Sequence, residues 1–214
     1  IKIMANPSLA MIPSGYKDGT LYSPVPNTAI GDFSVSRGSM ATRVNKNRLI
    51  ETVGYTVGGE LVTNGDFASG TTGWTPYSLA TLNNAGSALN VVGVGTANGR
   101  ATSPITTVIG VLYHITTDVV SVGSTSTTIG ITNSSNGDSA YFNSSDITTP
   151  TSVDFYFTAT STTTYVVFKR EGSVDGDTNI YDNVSVKEFA ANDVPRLDYT
   201  DGGCPVLLTE PQST

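Results

Sequence analysis

In the stretch Val153-Asp154-Phe155-Tyr156-Phe157, apolar side chains alternate with side chains that carry a polar group. Val153, Phe155 and Phe157 fall on one side of an extended chain, and Asp154 and Tyr156 fall on the other. Because successive side chains of a β-strand point to opposite faces, this period of two predicts a strand with one buried face. The stretch decides the class of fold, because the same pattern returns on both sides of it.

Similar alternation occurs in residues 113–119, 165–169 and 180–186. Turn-forming sequences rich in Gly, Asn and Asp separate these runs, at residues 83–86, 97–99, 122–123, 136–138 and 175–177. Several short strands with short connections predict an antiparallel β-sandwich. The composition agrees, because charged residues are only 14% of the 214 residues, and frequent Thr, Val, Gly and Asn suit strands and tight turns.

The chain falls into three segments. Residues 1–57 and 189–214 are punctuated by Pro and Gly, which predicts extended chain and turns, whereas residues 58–188 carry the strand pattern. We therefore expect an all-β protein in which a sandwich is inserted in an extended, loop-rich N- and C-terminal frame. Such an insertion is tolerated when the termini of the inserted domain lie close together.

Charge is unevenly distributed along the chain. Of the net charge of -7, residues 1–59 carry +3, residues 60–188 carry -7 and residues 189–214 carry -3. An acidic central domain argues against nucleic acid as a partner, because phosphate contacts need a cationic surface. No apolar run approaches the roughly 18 residues that cross a bilayer, so we expect no membrane insertion. Residue 1 is Ile, which favours a processed product or part of a longer chain.

Two motifs at the ends of the central segment resemble those of jelly-roll carbohydrate-binding modules. The first is Glu60-Leu61-Val62-Thr63-Asn64-Gly65-Asp66-Phe67 followed by Gly73-Trp74, and the second is Ile180-Tyr181-Asp182-Asn183-Val184-Ser185-Val186. Residues 112–119 also resemble the second main strand of that family. The resemblance covers about 60% of the chain. It implies a jelly-roll β-sandwich.

The resemblance also implies a site for a structural calcium ion between the first and last strands. The matching groups are the carboxylates of Glu60, Asp66 and Asp182, which are the hard oxygen ligands that Ca²⁺ prefers. Asn183 departs from the family pattern, which often has a second Asp there. Asp66 capping a turn and Asp182 facing water is the alternative. No cofactor is required by anything else in the sequence.

Aromatic side chains are the candidate glycan contacts, because their faces stack on the C–H surfaces of sugars. Tyr77, Tyr141 and Tyr156 are predicted on loops or on polar faces of strands. Trp74, the only tryptophan, either offers a platform to a sugar or packs in the core, where the family more often has it. An ordinary packing or surface role is the alternative for each tyrosine.

The two flanking segments resemble segments of bacteriophage structural and tail-fibre proteins. The matching stretches are Asp32-Phe33-Ser34-Val35-Ser36-Arg37-Gly38-Ser39-Met40-Ala41-Thr42-Arg43-Val44-Asn45 and Val194-Pro195-Arg196-Leu197-Asp198-Tyr199-Thr200, followed by Gly203-Cys204-Pro205 and Leu207-Leu208-Thr209-Glu210-Pro211-Gln212. This resemblance implies a fibre or appendage on the exterior of a virion, in contact with other virion proteins and with copies of itself, arranged as a trimer. The residues assigned to assembly are Arg37, Arg43, Arg196 and Asp198.

Catalytic groups are sparse, so we expect that the protein is not an enzyme. His114 is the only histidine, so a Ser-His-Asp arrangement would have to use it, and Cys204, the only cysteine, has no histidine near it in the chain. Asp175 and Asp177 share one Asp-Gly-Asp turn, whereas glycoside hydrolysis needs two carboxyls that flank one bond. The expected function is a bacteriophage structural protein whose sandwich binds host-surface glycans. A purely structural spacer and a polysaccharide-degrading enzyme are the alternatives.

Overall fold

The computed structural model describes residues 15–17, 20–22, 33–36, 41–96, 98–123, 125–172, 174–198 and 206–208. Within them the chain forms strands and no helix. The strands are β1 (Gly15–Lys17), β2 (Thr20–Tyr22), β3 (Phe33–Ser34), β4 (Ala41–Val44), β5 (Ile50–Val53), β6 (Tyr55–Val57), β7 (Thr75–Tyr77), β8 (Ala80–Asn84), β9 (Leu89–Gly93), β10 (Arg100–Thr106), β11 (Leu112–Ser121), β12 (Ser126–Thr132), β13 (Phe142–Asn143), β14 (Thr151–Thr158), β15 (Thr163–Glu171), β16 (Thr178–Ala190), β17 (Arg196–Asp198) and β18 (Val206–Leu208). The described part of the chain thus contains no helix that could cross a membrane.

The chain divides into two compact units. One consists of Ile1–Tyr55 together with Ala190–Thr214, and the other is Thr56–Phe189. The first unit contains the three-stranded sheet β1-β2-β3 and the hairpins β4-β5 and β17-β18. In that unit, Arg196 of β17 donates a hydrogen bond to the carbonyl oxygen of Thr42 in β4 at 2.8 Å.

The second unit is a sandwich of two antiparallel sheets. One sheet has the order β13-β12-β15-β10-β7, and the other has the order β14-β11-β16-β9-β8, with β6 also paired to β16. The order β9-β16-β11-β14 therefore lies opposite β10-β15-β12-β13, and every pairing among these strands is antiparallel. This is the strand order of a jelly roll. The predicted all-β, antiparallel jelly-roll class is confirmed.

A column of aromatic rings fills the core between the two sheets. Trp74 stacks on Phe168 with ring centroids 4.8 Å apart, and Phe168 stacks on Tyr181 at 4.1 Å. Phe67 packs against the other end of the column, 5.6 Å from Trp74. All four side chains are buried. The column joins residues of the opening motif to a strand of each sheet.

The loop that carries the opening motif docks on β16 through backbone contacts. The amide of Val184 donates to the carbonyl of Gly65 at 2.9 Å. A β-carbon added at Gly65 would lie 2.0 Å from the carbonyl oxygen of Val184, so only glycine fits there. The pairing of β11 with β16 shifts register at this point, where Asn183 adopts a φ of 53°. Asparagine tolerates this left-handed conformation, which is typical of a β-bulge.

Buried polar groups close one end of the core. Arg170 is fully buried on β15, and its Nη1 lies 3.5 Å from a carboxylate oxygen of Asp177. The hydroxyl of Tyr181 hydrogen-bonds to the hydroxyl of Thr127. Burial raises the pKa of Tyr181 to about 12, and the Thr127 hydrogen bond opposes that shift. The neutral phenol is therefore the form that the fold stabilises.

Alkaline unfolding tests this assignment. The free phenol titrates near pH 10, so the stabilisation from neutral Tyr181 is complete below about pH 10 and is lost as the pH rises toward about 12. We expect Tyr181→Phe to flatten the fall of unfolding free energy over this range by on the order of 2–3 kcal/mol. Urea unfolding at fixed pH values measures it, with the exposed Tyr77→Phe as the control. A Tyr181→Phe profile parallel to that of the native protein would contradict the assignment.

Candidate functional site

An aromatic side chain and three polar ones line up on the outer face of the five-stranded sheet. The strand registers pair Tyr77 with Arg100, Arg100 with Lys169, and Lys169 with Thr128. Residues directly opposite one another share a face, so these four, named here the polar row, form one line across β7, β10, β15 and β12. Three strand spacings give the row a length of about 14 Å. Tyr77, at its end, is 43% exposed.

Each of the two cations of the polar row pairs with a carboxylate that lies beside the row. Lys169 Nζ lies 2.5 Å from Glu171 Oε1, and Arg100 forms an ion pair with Asp138. Asn98 Nδ2 donates to the second oxygen of Glu171 at 2.7 Å. Each cation therefore has a carboxylate beside it. The row and these two carboxylates together present hydrogen-bond donors and acceptors without an excess of either charge.

A loop between β12 and β13, residues 133–141, crosses the middle of the same face and is named here the strap. Thr102 Oγ1 donates to the carbonyl of Ser135 at 3.1 Å, and Arg100 Nη1 donates to the carbonyl of Asn136 at 3.3 Å. Thr132 Oγ1 donates to the carbonyl of Asp138 at 2.7 Å. The strap thus borders the polar row along one side.

Local hydrogen bonds give the strap its shape. Asn136 Oδ1 accepts from the amide of Asp138 at 2.9 Å and from the hydroxyl of Ser134 at 2.5 Å. The amide of Gly137 donates to the carbonyl of Ser134 at 3.0 Å, which closes a tight turn. Gly137 has a φ of 74°, a conformation that favours glycine. The predicted turn at residues 136–138 is therefore present, and it lies over the sheet.

An exposed aromatic ring beside convergent polar groups suits a ligand that is apolar on one side and rich in hydroxyls on the other. Ring faces such as that of Tyr77 stack on apolar C–H surfaces. Arg100 and Lys169 carry hydrogen-bond donors, and their carboxylate partners Asp138 and Glu171 carry acceptors. Sugars have both properties.

The structure separates the predicted glycan contacts. Tyr77 lies at the β7 edge of the five-stranded sheet, whereas Tyr141 precedes β13 at the opposite edge, on the order of 15–20 Å away. Tyr156 lies in the other sheet, on β14. Trp74 is only 6% exposed and stacks on Phe168, so its ring offers no face to a sugar. Trp74 is therefore removed from the candidate contacts, because it packs in the core.

Tyr156 belongs to an aromatic group on the six-stranded sheet. Its ring stacks on His114 at 4.5 Å and lies 4.7 Å from Phe189. His114 Nε2 is 2.8 Å from Asp154 Oδ1. The ring of Tyr156 is thus engaged by protein side chains, which makes it a weaker platform for a sugar than Tyr77.

The outer face of the six-stranded sheet also holds a carboxylate network. Asp118 accepts hydrogen bonds from Ser152 Oγ at 2.6 Å and from Asn183 Nδ2 at 2.8 Å. These two donors, Ser152 first, hold the pKa of Asp118 below its ordinary value. Jelly-roll carbohydrate-binding modules often have an acidic residue at the position of Asn183. Here the Asn183 side chain instead donates a hydrogen bond to the neighbouring carboxylate of Asp118.

The residues proposed to hold calcium are engaged by backbone amides. Glu60 Oε1 accepts from the amides of Leu61, Val62 and Val186, and Oε2 accepts from Ser185 Oγ at 2.6 Å. Asp66 Oδ1 accepts from the amide of Ala68, and Asp182 Oδ1 accepts from the amide of Asn183. Across the described ranges, no three His, Cys, Asp or Glu side chains lie close enough to hold a metal. Each of these carboxylates thus accepts hydrogen bonds from the protein, and calcium binding by the three stays a prediction.

The residues assigned to assembly lie in the first unit or outside the described residues. Arg37 lies outside them, and only the backbone of Asp198 is described, in β17. Arg43 Nε pairs with Glu51 across the β4-β5 hairpin at 2.7 Å, and Asn45 donates to the same carboxylate. These hydrogen bonds, with that from Asn45 the largest effect, lower the pKa of Glu51. The assembly role of these residues stays a prediction.

Arg100, Lys169, Glu171 and Asp138 were not among the predicted site residues. A signal for Lys169 is present, because it alternates with Val166 and Phe168 and so falls on the outward face of its strand. The register that places it beside Arg100 depends on the pairing of β10 with β15, which are separated by more than 50 residues in the chain. The alternation of side chains within one strand does not reveal which other strand pairs with it.

The described topology defines the second unit as a jelly-roll β-sandwich. No family model and no curated protein matches the sequence. Solved structures similar to the chain include a family 4 carbohydrate-binding module, with 15% identity and a TM-score of 0.49 over 59% of this chain and 99% of that one. The CBM22-1 xylan-binding domain of Paenibacillus barcinonensis Xyn10C has 14% identity and a TM-score of 0.44, over 63% and 97%. The enzymatically active domain of bacteriophage CBA120 tailspike protein 4 has 15% identity and a TM-score of 0.45, over 60% and 21%.

Calcium removal provides a direct check on the metal-ligand prediction. Since the carboxylates of Glu60 and Asp182 already accept hydrogen bonds from amides, we expect a chelator to leave the unfolding temperature within about 1 °C. Thermal unfolding in EDTA and in millimolar CaCl₂ measures this. A rise of several degrees in calcium, abolished by Asp182→Asn, would show that an ion does bind there.

Proposed function

We propose that the sandwich is a non-catalytic glycan-binding module and that a sugar seats on the polar row. The observation that carries the proposal is the exposed ring of Tyr77, aligned in one cross-strand row with Arg100 and Lys169. Carbohydrate recognition needs a stacking surface and nearby polar groups that replace water around hydroxyls. The row supplies both on a rigid sheet.

The charges favour neutral glycans over acidic ones. Arg100 and Lys169 are each paired with a carboxylate, and residues 60–188 carry a net charge of -7. An anionic sugar would meet repulsion from this domain, with no unpaired cation in the row to offset it. The site is open and short, so single-copy binding is weak, and display of several copies would strengthen it.

The bacteriophage part of the proposal rests on the flanking segments. Residues 32–45 and 194–212 resemble segments of phage structural and tail-fibre proteins, and the chain would accordingly be an exterior virion component. Its partners would be other virion proteins and further copies of itself, with three around one axis. The exposed tip of the β4-β5 hairpin, where Leu49 is 64% and Ile50 77% exposed, is a surface for such contacts. Immunogold labelling of intact particles tests the location, and unlabelled particles would contradict it.

A glycan array tests the binding proposal. Tyr77→Ala should lower the affinity for any glycan that the native protein binds by about tenfold or more, because stacking and the associated buried area are lost. Tyr22→Ala is the matched control, since Tyr22 is similarly exposed, at 44%, and belongs to the first unit. The affinities of Tyr22→Ala should equal those of the native protein, and Tyr141→Ala, which changes the end of the strap, is measured beside it.

Three results would overturn the binding proposal in different ways. Loss of binding in Tyr141→Ala with native affinity in Tyr77→Ala would move the site to the other edge. A native protein that binds no glycan would leave a structural spacer as the function. Release of reducing ends from a polysaccharide by the purified protein would make it an enzyme.

A further inference from the structure

The strap covers side chains that point outward from the five-stranded sheet. Thr102 and Val167 are each 2% exposed and Thr132 is 1% exposed, although all three point away from the core. Their outward direction follows from their alternation with Ala101, Val166 and Ile131, which lie in the core. An outer face of an antiparallel sheet is ordinarily wet and open to ligands. Here the strap takes the middle of that face.

The strap packs closely on the sheet at Gly137. A β-carbon added there would lie 3.0 Å from Val167 Cγ1, 3.1 Å from Arg100 Cδ and 3.2 Å from Thr102 Cγ2. These distances are shorter than ordinary van der Waals contacts, so an added methyl group would displace the neighbouring side chains or the strap by a few tenths of an ångström. Because Gly137 also has a φ of 74°, two independent constraints favour glycine at this position.

The strap also holds one member of the polar row. Both hydrogen bonds that join the Arg100 guanidinium to the strap use Nη1, with the carbonyl of Asn136 and the carboxylate of Asp138 as acceptors. The Arg100 side chain is 17% exposed. Asp138 thus acts as a positioning residue, since it fixes the Arg100 guanidinium within the row.

We propose that the strap determines which glycans the site accepts. It closes the middle of the face and fixes Arg100, so a ligand is confined to the polar row and lies across the strands. A glycan longer than the roughly 14 Å of the row gains no further contacts. This proposal rests on the glycan binding proposed above, and it names the length and direction of the ligand.

The test compares Gly137→Ala with Gly176→Ala in the full chain. Both glycines have a φ of 74°, but a β-carbon at Gly176 would meet nothing within 4 Å, so the control carries the backbone cost without the contact. One measurement is deuterium uptake in peptides covering residues 133–141. The other is binding to an array that carries short and long members of each neutral oligosaccharide series.

Native protein and Gly176→Ala should bind short and long members equally well. Gly137→Ala should take up deuterium faster in the strap. Its ratio of long-chain to short-chain affinity should rise by about fivefold, which is what one added hydrogen bond of about 1 kcal/mol provides. Lifting the strap would have two effects on this ratio of affinities. It would uncover Thr102 for longer chains, and it would release Arg100 from the strap.

Three outcomes overturn the proposal, and they are distinguishable. If the native protein binds glycans with affinity that grows with chain length, or if Gly137→Ala keeps the native ratio despite faster exchange, the strap does not limit the site and the glycan-binding function stands. If no array member binds the native protein, the proposed function fails and the role of the strap in selection fails with it.

Discussion

The contact between the backbones of Gly65 and Val184 is the constraint on which the rest of the sandwich depends. It joins the loop at the start of the domain to its last strand at a β-bulge, where Asn183 is in a left-handed conformation. The Glu60 carboxylate continues the seam by accepting hydrogen bonds from Ser185 Oγ and from the amide of Val186. The two ends of the domain are thereby held side by side. That arrangement suits a domain that interrupts another part of the chain.

The same seam positions the candidate site. Once the loop is fixed on β16, Phe67 and Trp74 enter the core and stack toward Phe168. The strand that carries Tyr77 begins at the residue after Trp74 and pairs with β10. The buried tryptophan is therefore structural, and its effect on a ligand would be indirect, through the placement of the exposed tyrosine three residues later. The strap completes the site from the other side by fixing Arg100.

Local patterns predicted the class of fold but not the construction of the site. Period-two alternation in residues 153–157 and 165–169 predicts strands with one buried face, and the structure has β14 and β15 there. The motif at residues 60–74 marks the start of the sandwich, because its Asn, Gly and aromatic positions have local physical requirements. The polar row arises differently, from pairings between strands that are distant in sequence. The strap is visible in the sequence only as a turn at residues 136–138, because the face on which a turn lies depends on tertiary contacts.

The central claim is tested most directly by the stability of Gly65→Ala. Its added methyl group would meet the carbonyl oxygen of Val184, whereas Gly59→Ala, at which a β-carbon would meet nothing within 4 Å, is the control. Urea unfolding should show Gly65→Ala destabilised by about 1–3 kcal/mol with an unchanged m-value, and Gly59→Ala within about 0.5 kcal/mol of the native protein. Equal stability of Gly65→Ala and the native protein would contradict the account, since the loop and the last strand would then not need the close contact that organises the domain.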